Sequence, residues 1–349
     1  MLNSLWALAA AVIAFGVSAL LGKILIPYLH KLKFGQTILD IGPDWHKNKQ
    51  GTPTMGGIMF IVAILVSTVL CFTISIFTNP NRLEMANAKV ENFTIYIGLV
   101  MALCYGVIGF IDDYIKVVKK RNLGLTASQK LVMQFAVAIL YLLALRFIAG
   151  DKDVTKTIIP FVGTVDLGWF YYVIASVVIV GITNATNLTD GIDGLDGSIT
   201  FFAGVFMMVI ASLFKNTGAV VESAALCGGC LGFLVWNFHP AKVFMGDTGS
   251  LFLGGIVCAI LFSLDVPVLV LLIGIVYLAE MFSVMLQVSY FKITKGKRLF
   301  KMSPIHHHFE MCGWSEVKIV CVFSLVTAIA GIIAVVLTYF GVVDFTAVV

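Results

Sequence analysis

The chain is a succession of long apolar runs divided by short polar loops. Ten runs can be drawn, over 5–29, 55–77, 93–111, 131–149, 167–184, 198–214, 219–237, 250–264, 266–291 and 319–341. Most have the roughly 17 to 25 residues that a helix needs to cross the hydrocarbon core of a bilayer. A helix satisfies its own backbone hydrogen bonds in lipid, which an isolated strand cannot do. The runs therefore predict an all-α, polytopic integral membrane protein. Composition agrees: 60% of residues are hydrophobic and 12% charged, where a soluble domain carries about twice that charged fraction. No loop is long enough to hold a soluble domain and no repeat is visible, so residues 1–349 read as one membrane-embedded domain. The first run lacks a preceding basic stretch and a following small-residue cleavage site, and is expected to be a retained helix. Only Asp265-Val-Pro267 divides the eighth run from the ninth. Nine spans is the alternative there, and it would move the last loop to the other side.

Basic residues orient the spans. The loops 30–53, 112–130, 185–197, 238–249 and 292–318 hold sixteen Lys and Arg, against five in the four alternate loops. The positive-inside tendency puts the first set in the cytoplasm and both termini outside. The formal net charge of +4 reads as this loop bias and as attraction to anionic membrane lipids, with no nucleic-acid partner. The seven cysteines offer neither metal spacing nor a disulfide framework. Cys227-Gly-Gly-Cys230 lies inside an apolar run beside small residues, where helix packing is the better reading.

The chemistry-bearing residues sit in the cytoplasmic set of loops. The first loop ends Lys49-Gln-Gly-Thr-Pro-Thr54-Met-Gly-Gly57. It is either a basic turn or an anion site built from Lys49 and the Thr54 hydroxyl at a helix start. The second opens on Asp112-Asp113, with Lys116 following and Lys130 at its far end. Two acids where an inward-running helix ends oppose its dipole, and favour a bound cation over a solvated terminus. The third repeats Asp-Gly at Asp190, Asp193 and Asp196, with no basic residue to offset them. EF-hand spacing is absent, because the twelfth position counted from Asp190 is Phe201. Mg2+ shared with a substrate phosphate suits such a loop, since Mg2+ takes oxygen ligands and keeps several waters. The fourth loop, Phe244-Met-Gly-Asp247-Thr-Gly-Ser250, brings an acid to a helix start. There Thr248 or Ser250 could instead serve as a cap. The fifth carries His306-His307-His308. These three cannot all point one way, and they suit contacts to a diphosphate or nucleotide better than zinc. No Walker A pattern occurs. Glu280 and Gln287, seven residues apart, share one face of the ninth span; an intramembrane carboxylate is either functional or a bundle-facing structural group.

Together these motifs resemble the bacterial phospho-N-acetylmuramoyl-pentapeptide transferases of the polyprenyl-phosphate N-acetylhexosamine-1-phosphate transferase superfamily. The matching stretches are Gly51-Thr-Pro-Thr-Met-Gly-Gly57, Gly109-Phe-Ile-Asp112-Asp113-Tyr, Asn184-Ala-Thr-Asn187-Leu-Thr-Asp190-Gly-Ile-Asp193-Gly-Leu, Phe244-Met-Gly-Asp247-Thr-Gly-Ser and Pro304-Ile-His306-His307-His308-Phe-Glu. They span essentially the whole chain. The resemblance implies a multi-pass enzyme of the bacterial inner (cytoplasmic) membrane with a cytoplasmic-face site, Mg2+ dependence and a homodimeric state. The implied donor is UDP-N-acetylmuramoyl-pentapeptide and the acceptor undecaprenyl phosphate; the products are UMP and lipid I of the peptidoglycan pathway. It implies Mg2+ on Asp247, with Asp113 helping to hold the metal or a lysine and Asp112 as the usual candidate for a base. The base role is weakened because a phosphate monoester, with a second pKa of about 6, is already largely dianionic at neutral pH. Direct attack is favoured over a covalent route through Asp190 or another aspartate. Lys49, Thr54, Lys116, Lys130, Asn187, Asp193, Asp196 and Phe244 are expected around uracil, ribose and diphosphate, and His306, His307 and His308 at the sugar-phosphate or nucleoside. Two rivals remain. One is the same chemistry on UDP-N-acetylglucosamine, against which the triple histidine argues. The other is a secondary transporter, which would place its polar groups at the midplane of repeated halves.

Overall fold

The computed structural model describes residues 2–31, 49–78, 86–118, 124–149 and 154–343. Twelve α-helices are present among them: α1 (Leu2–Lys31), α2 (Gly57–Phe77), α3 (Ala86–Val118), α4 (Ala127–Ala149), α5 (Phe170–Thr189), α6 (Leu195–Leu213), α7 (Thr217–Asn237), α8 (Gly246–Ser263), α9 (Val270–Ile273), α10 (Ile275–Ile293), α11 (Ile305–Glu310) and α12 (Glu316–Thr338). Among the described residues nine helices are long and apolar enough to cross a membrane. The pair Pro267–Ile273 and Ile275–Ile293, bent by 79°, is either a broken tenth span or a re-entrant segment. The structure is thus an all-α membrane protein with nine or ten spans, and it amends the reading of the apolar runs in two places.

The first amendment is the bend. The sequence marks Pro267, but the chain turns again at Gly274 inside the apolar run, between α9 and α10. The second is the length of α3, which runs past residue 111 to Val118. Asp112 and Asp113 therefore lie on helix, about one and a half turns short of its end, and not in a loop. Residues 32–48 of the first loop and Lys119, Lys120 and Arg121 of the second lie outside the described residues.

α7 and α8 are the inner helices, buried on nearly every side. A helix that is apolar all round can be satisfied only by protein or lipid on all its faces. Here small residues let protein supply them. α7 packs on α1, α2 and α6, and α8 on α3 and α5. A Cβ on Gly228 would overlap the Ala11 carbonyl, so the Cys227-Gly-Gly-Cys230 stretch is a helix-packing surface and its cysteines are free. Outside the helices, Lys156–Ile159 and Gly163–Asp166 form an antiparallel hairpin, with Lys156 opposite Asp166 and Ile159 opposite Gly163. Ile158 N–H donates to the Asp265 carbonyl, which docks the hairpin on the link between α8 and α9. That link is at the far end of α8 from Asp247, so the hairpin and the acidic loops mark opposite ends of the bundle.

Candidate active site

Two backbone devices create the site. Gly56 N–H donates to the Phe244 carbonyl at 2.8 Å, and Phe244 N–H to the Pro53 carbonyl at 2.8 Å, which joins the first loop to the fourth. Where α3 crosses the start of α8, a Cβ on Gly109 would overlap the Asp247 carbonyl, so only glycine permits that approach. α8 has no side-chain cap of its own. Asp113, reaching across from α3, supplies one. Its Oδ1 accepts from Asp247 N–H at 3.3 Å, and its Oδ2 from Thr248 N–H at 2.9 Å and from the Thr248 hydroxyl at 2.7 Å. These are orphan amides at the positive end of a helix, where an anion is stabilised. Gly246, at φ 72°, is needed there, because a Cβ would run into the Asp113 carboxylate and the Thr54 hydroxyl.

Asp247 is then fixed in the first turn of α8, in the midst of cations. Lys116 Nζ lies 3.1 Å and Lys130 Nζ 2.9 Å from its Oδ2. Asn187 donates to its Oδ1 at 2.8 Å and to the Ser250 hydroxyl at 2.9 Å. Lys116 also pairs with Asp112 Oδ2 at 2.6 Å, and Leu125 N–H donates to Asp112 Oδ1 at 2.7 Å. One turn further along α4, Gln134 and Asn184 exchange side-chain amide bonds. This pair sets the register in which Lys130 meets the Asn187 oxygen at 3.3 Å. Lys130, at the far end of the second loop, is thus brought to Asp247 and Asn187.

Ligand oxygens of Asp112, Asp113 and Asp247 lie within 4.8 Å of one another. Opposite oxygens around an octahedral Mg2+ stand about 4.2 Å apart, since each bond is about 2.1 Å. Three hard carboxylates gathered within 4.8 Å fit Mg2+, with Asp247 and Asp112 the better placed because each has an oxygen partnered by a lysine ammonium, whereas both Asp113 oxygens accept backbone amides of α8.

A second group adjoins the first. Lys49 Nζ is 2.7 Å from Asp193 Oδ1 and 2.7 Å from Glu316 Oε2. Asp193 Oδ2 accepts from Ala241 N–H at 2.9 Å and lies 3.1 Å from His239 Nδ1. Asp190, which ends α5, stands between the groups and is half-buried. Desolvation first, and then the charges of Asp247, Asp113 and Asp193, push its carboxyl up to about 8. Asp196 sits apart, in the first turn of α6. It is buried, with Oδ1 accepting from the Thr200 hydroxyl and Oδ2 without a partner. Phe244 is half-buried at the junction of the first and fourth loops.

The three histidines take different partners, although the rings of His306 and His307 lie against each other, with centroids 4.1 Å apart. His306 is buried with Nδ1 3.1 Å from Glu280 Oε2, and its ring fills the space that a Cβ on Gly191 would need. His307 Nδ1 meets Glu310 at 2.6 Å, and His308 Nδ1 accepts from Lys301 N–H. Glu280 and Gln287 are both buried; Gln287 holds the 299–300 turn through three bonds. Sequence reasoning missed His239 and Glu316. Glu316 follows Ser315, whose hydroxyl caps α12, so the pair reads as an ordinary helix start.

Known proteins resemble this chain in sequence over most of its length. Residues 49–61 match phospho-N-acetylmuramoyl-pentapeptide-transferase signature 1, and residues 95–265 match the sequence model of glycosyl transferase family 4. A phospho-N-acetylmuramoyl-pentapeptide-transferase of Halalkalibacterium halodurans is 45% identical over 329 residues, 93% of this chain and 95% of that protein. The Listeria innocua enzyme of the same name is 45% identical over 342 residues, 97% and 99% of the two chains. The chain belongs to the phospho-N-acetylmuramoyl-pentapeptide-transferase family. The signature covers Lys49 and Thr54, and the glycosyl transferase match takes in Asp112, Asp113, Lys130, Asn187 and Asp247.

Proposed function

We propose that the protein transfers phospho-N-acetylmuramoyl-pentapeptide from its UDP conjugate to undecaprenyl phosphate, on the cytoplasmic side of a bacterial cell membrane with both termini outside. An oxygen of the lipid phosphate attacks the β-phosphorus of the donor. The bond from that phosphorus to the bridging oxygen breaks, UMP departs with the electron pair, and lipid I stays in the membrane for peptidoglycan synthesis. The observation that carries this reading is the convergence of Lys116 and Lys130 on Asp247, beside two further aspartates at the end of the bundle. A soluble donor and a lipid-borne acceptor can meet only at such an interface. Both reactants are anionic, so fixed positive charge must offset their repulsion and the charge developing on UMP.

Mg2+ held by Asp247 with Asp112 would supply Lewis-acid neutralisation of the diphosphate oxygens. The chain's own residues do the rest. Lys116 and Lys130 present ammonium groups to phosphate oxygens. Asn187 fixes the Asp247 carboxylate, and Asp113 fixes the helix start that carries it. The lipid phosphate is already largely dianionic at neutral pH, so Asp112 is assigned to Lys116 and the cation, and no proton transfer is required of it. The test is UMP release by purified protein in detergent, with undecaprenyl phosphate, Mg2+ or EDTA, and one of two donors. Mg2+-dependent release with the pentapeptide donor is expected. Release only with UDP-N-acetylglucosamine would contradict the donor assignment, and gradient-driven uptake into vesicles without product would contradict the reaction.

A further inference from the structure

Lys49 is held more tightly than a substrate-facing lysine needs to be. Two carboxylate oxygens, from Asp193 and Glu316, stand 2.7 Å from its ammonium. Only 16% of its side chain is exposed. The Glu316 oxygen that meets Lys49 also accepts the Asp193 N–H at 3.0 Å. It lies 3.7 Å from His239 Nδ1 as well. One carboxylate thus touches three segments that are far apart in sequence: the strip before α2, the turn between α5 and α6, and the strip after α7. Glu316 can do this because it stands in the first turn of α12, where the helix dipole stabilises an acid. Ser315 takes the capping position, so the Glu316 side chain is left to meet the neighbouring loops.

The arrangement has an electrostatic consequence. The single positive charge of Lys49 is outweighed by two negative ones, so this ammonium is not a free anion site. What the group fixes is position. It sets where Lys49 stands, and it sets the Asp193 turn, which follows Asp190.

We propose that Glu316 is a positioning residue for the nucleotide-sugar donor, acting through Lys49 and the backbone of Asp193. This rests on the reading that the donor is a UDP-linked sugar. Glu316 touches no reacting atom. It holds the first and third loops in the register in which they face the donor.

The experiment pairs two readouts on the full-length protein in detergent. In steady-state assays, Glu316→Ala raises KM for the donor about tenfold or more, the scale of a lost charged hydrogen bond. Over the same change kcat stays within about threefold and KM for the lipid is unmoved. Glu316→Gln, which keeps an oxygen for the Asp193 N–H, falls between. In the Lys49→Met background the Glu316 substitution adds little, because the two act as one unit. A purely structural role would lower kcat and folded yield together, without that split. The second readout needs no turnover: amine-reactive labelling of Lys49, followed by mass spectrometry, speeds up several-fold in Glu316→Ala. Unchanged labelling overturns the Glu316–Lys49 coupling whatever the substrate is. Faster labelling with an unchanged donor KM overturns the positioning role. Faster labelling in a protein whose wild type uses no UDP-sugar contradicts the donor reading alone.

Discussion

The two charged groups at the site end use the same residue types in inverse arrangement. In one, two ammonium groups converge on a single carboxylate oxygen, Asp247 Oδ2. In the other, two carboxylates converge on a single ammonium, Lys49 Nζ. In the first group two ammonium groups stand against three carboxylates, which leaves negative charge for a divalent cation beside lysines that can turn to an incoming diphosphate. Where anions crowd one cation, the charge is spent and the group acts as a fastener between loops. Neighbouring backbone supports the distinction. Asp193 and Glu316 also accept N–H groups from separate turns, whereas the Asp247 carboxylate is met by the side chains of Lys116, Lys130, Asn187 and Asp112.

Substitutions can break or sharpen this contrast. Asp247→Asn should have the largest effect, lowering kcat for UMP release by about 10²–10³-fold, the usual loss when one preorganised electrostatic group is removed. Its melting temperature should change little. Asp113→Ala should lose activity and stability together. It uncaps α8, at a cost of about 1–2 kcal/mol, which appears as a lower melting temperature in detergent. If Asp113→Ala melts like the wild type, the capping role is wrong.

A third effect is one of pH. The Asp190 carboxyl is raised to about 8 in the fold by desolvation and then by its acidic neighbours, above the roughly 3.9 of an unfolded chain. A raised carboxyl favours the protonated native state. Its contribution is complete below the unfolded value and is lost as pH rises through about 8. In EDTA the melting temperature of the wild type should therefore fall between pH 6 and 9, and Asp190→Asn should flatten that fall. Equal slopes in the two proteins would remove Asp190 as its source. His239→Ala should matter least. Its side chain is 43% exposed on the rim of the second group, and an exposed ion pair contributes at most about 1 kcal/mol. Donor KM should stay within about threefold; a larger change would make the second group more than a fastener.

Much of this was legible in the sequence because lipid imposes a simple rule. Unbroken apolar runs must be helices there, so the spans could be counted, and acids placed at their ends had to be solvated, paired or metal-bound. Asp112, Asp113 and Asp247 stood out for that reason, Asn187 came only with the family resemblance, and the fold brings all four together. The bend at Gly274 was hidden, because a glycine within an apolar run has no polar neighbour to mark it. The helical setting of Asp112 and Asp113 was hidden too. An acid pair reads as the end of a span, whereas Lys116 and the α8 amides make it tolerable inside one. Glu316 and His239 were illegible for a different reason. Their partners lie 123 and 46 residues away, at Asp193, and neither residue belongs to a local pattern that demands a partner. Asp196 gave the opposite error in emphasis. It shares the Asp-Gly repeat of its loop, yet the start of α6 turns it inward to Thr200.

The most direct test of the contrast between the groups is Mn2+ binding, followed by electron paramagnetic resonance, to the wild type, Asp247→Asn and Glu316→Gln without substrate. Mn2+ shares the preference of Mg2+ for carboxylate and water. The account predicts one bound ion in the wild type, retained in Glu316→Gln and lost in Asp247→Asn. An ion retained in Asp247→Asn and lost in Glu316→Gln would put the cation site in the second group and contradict the account.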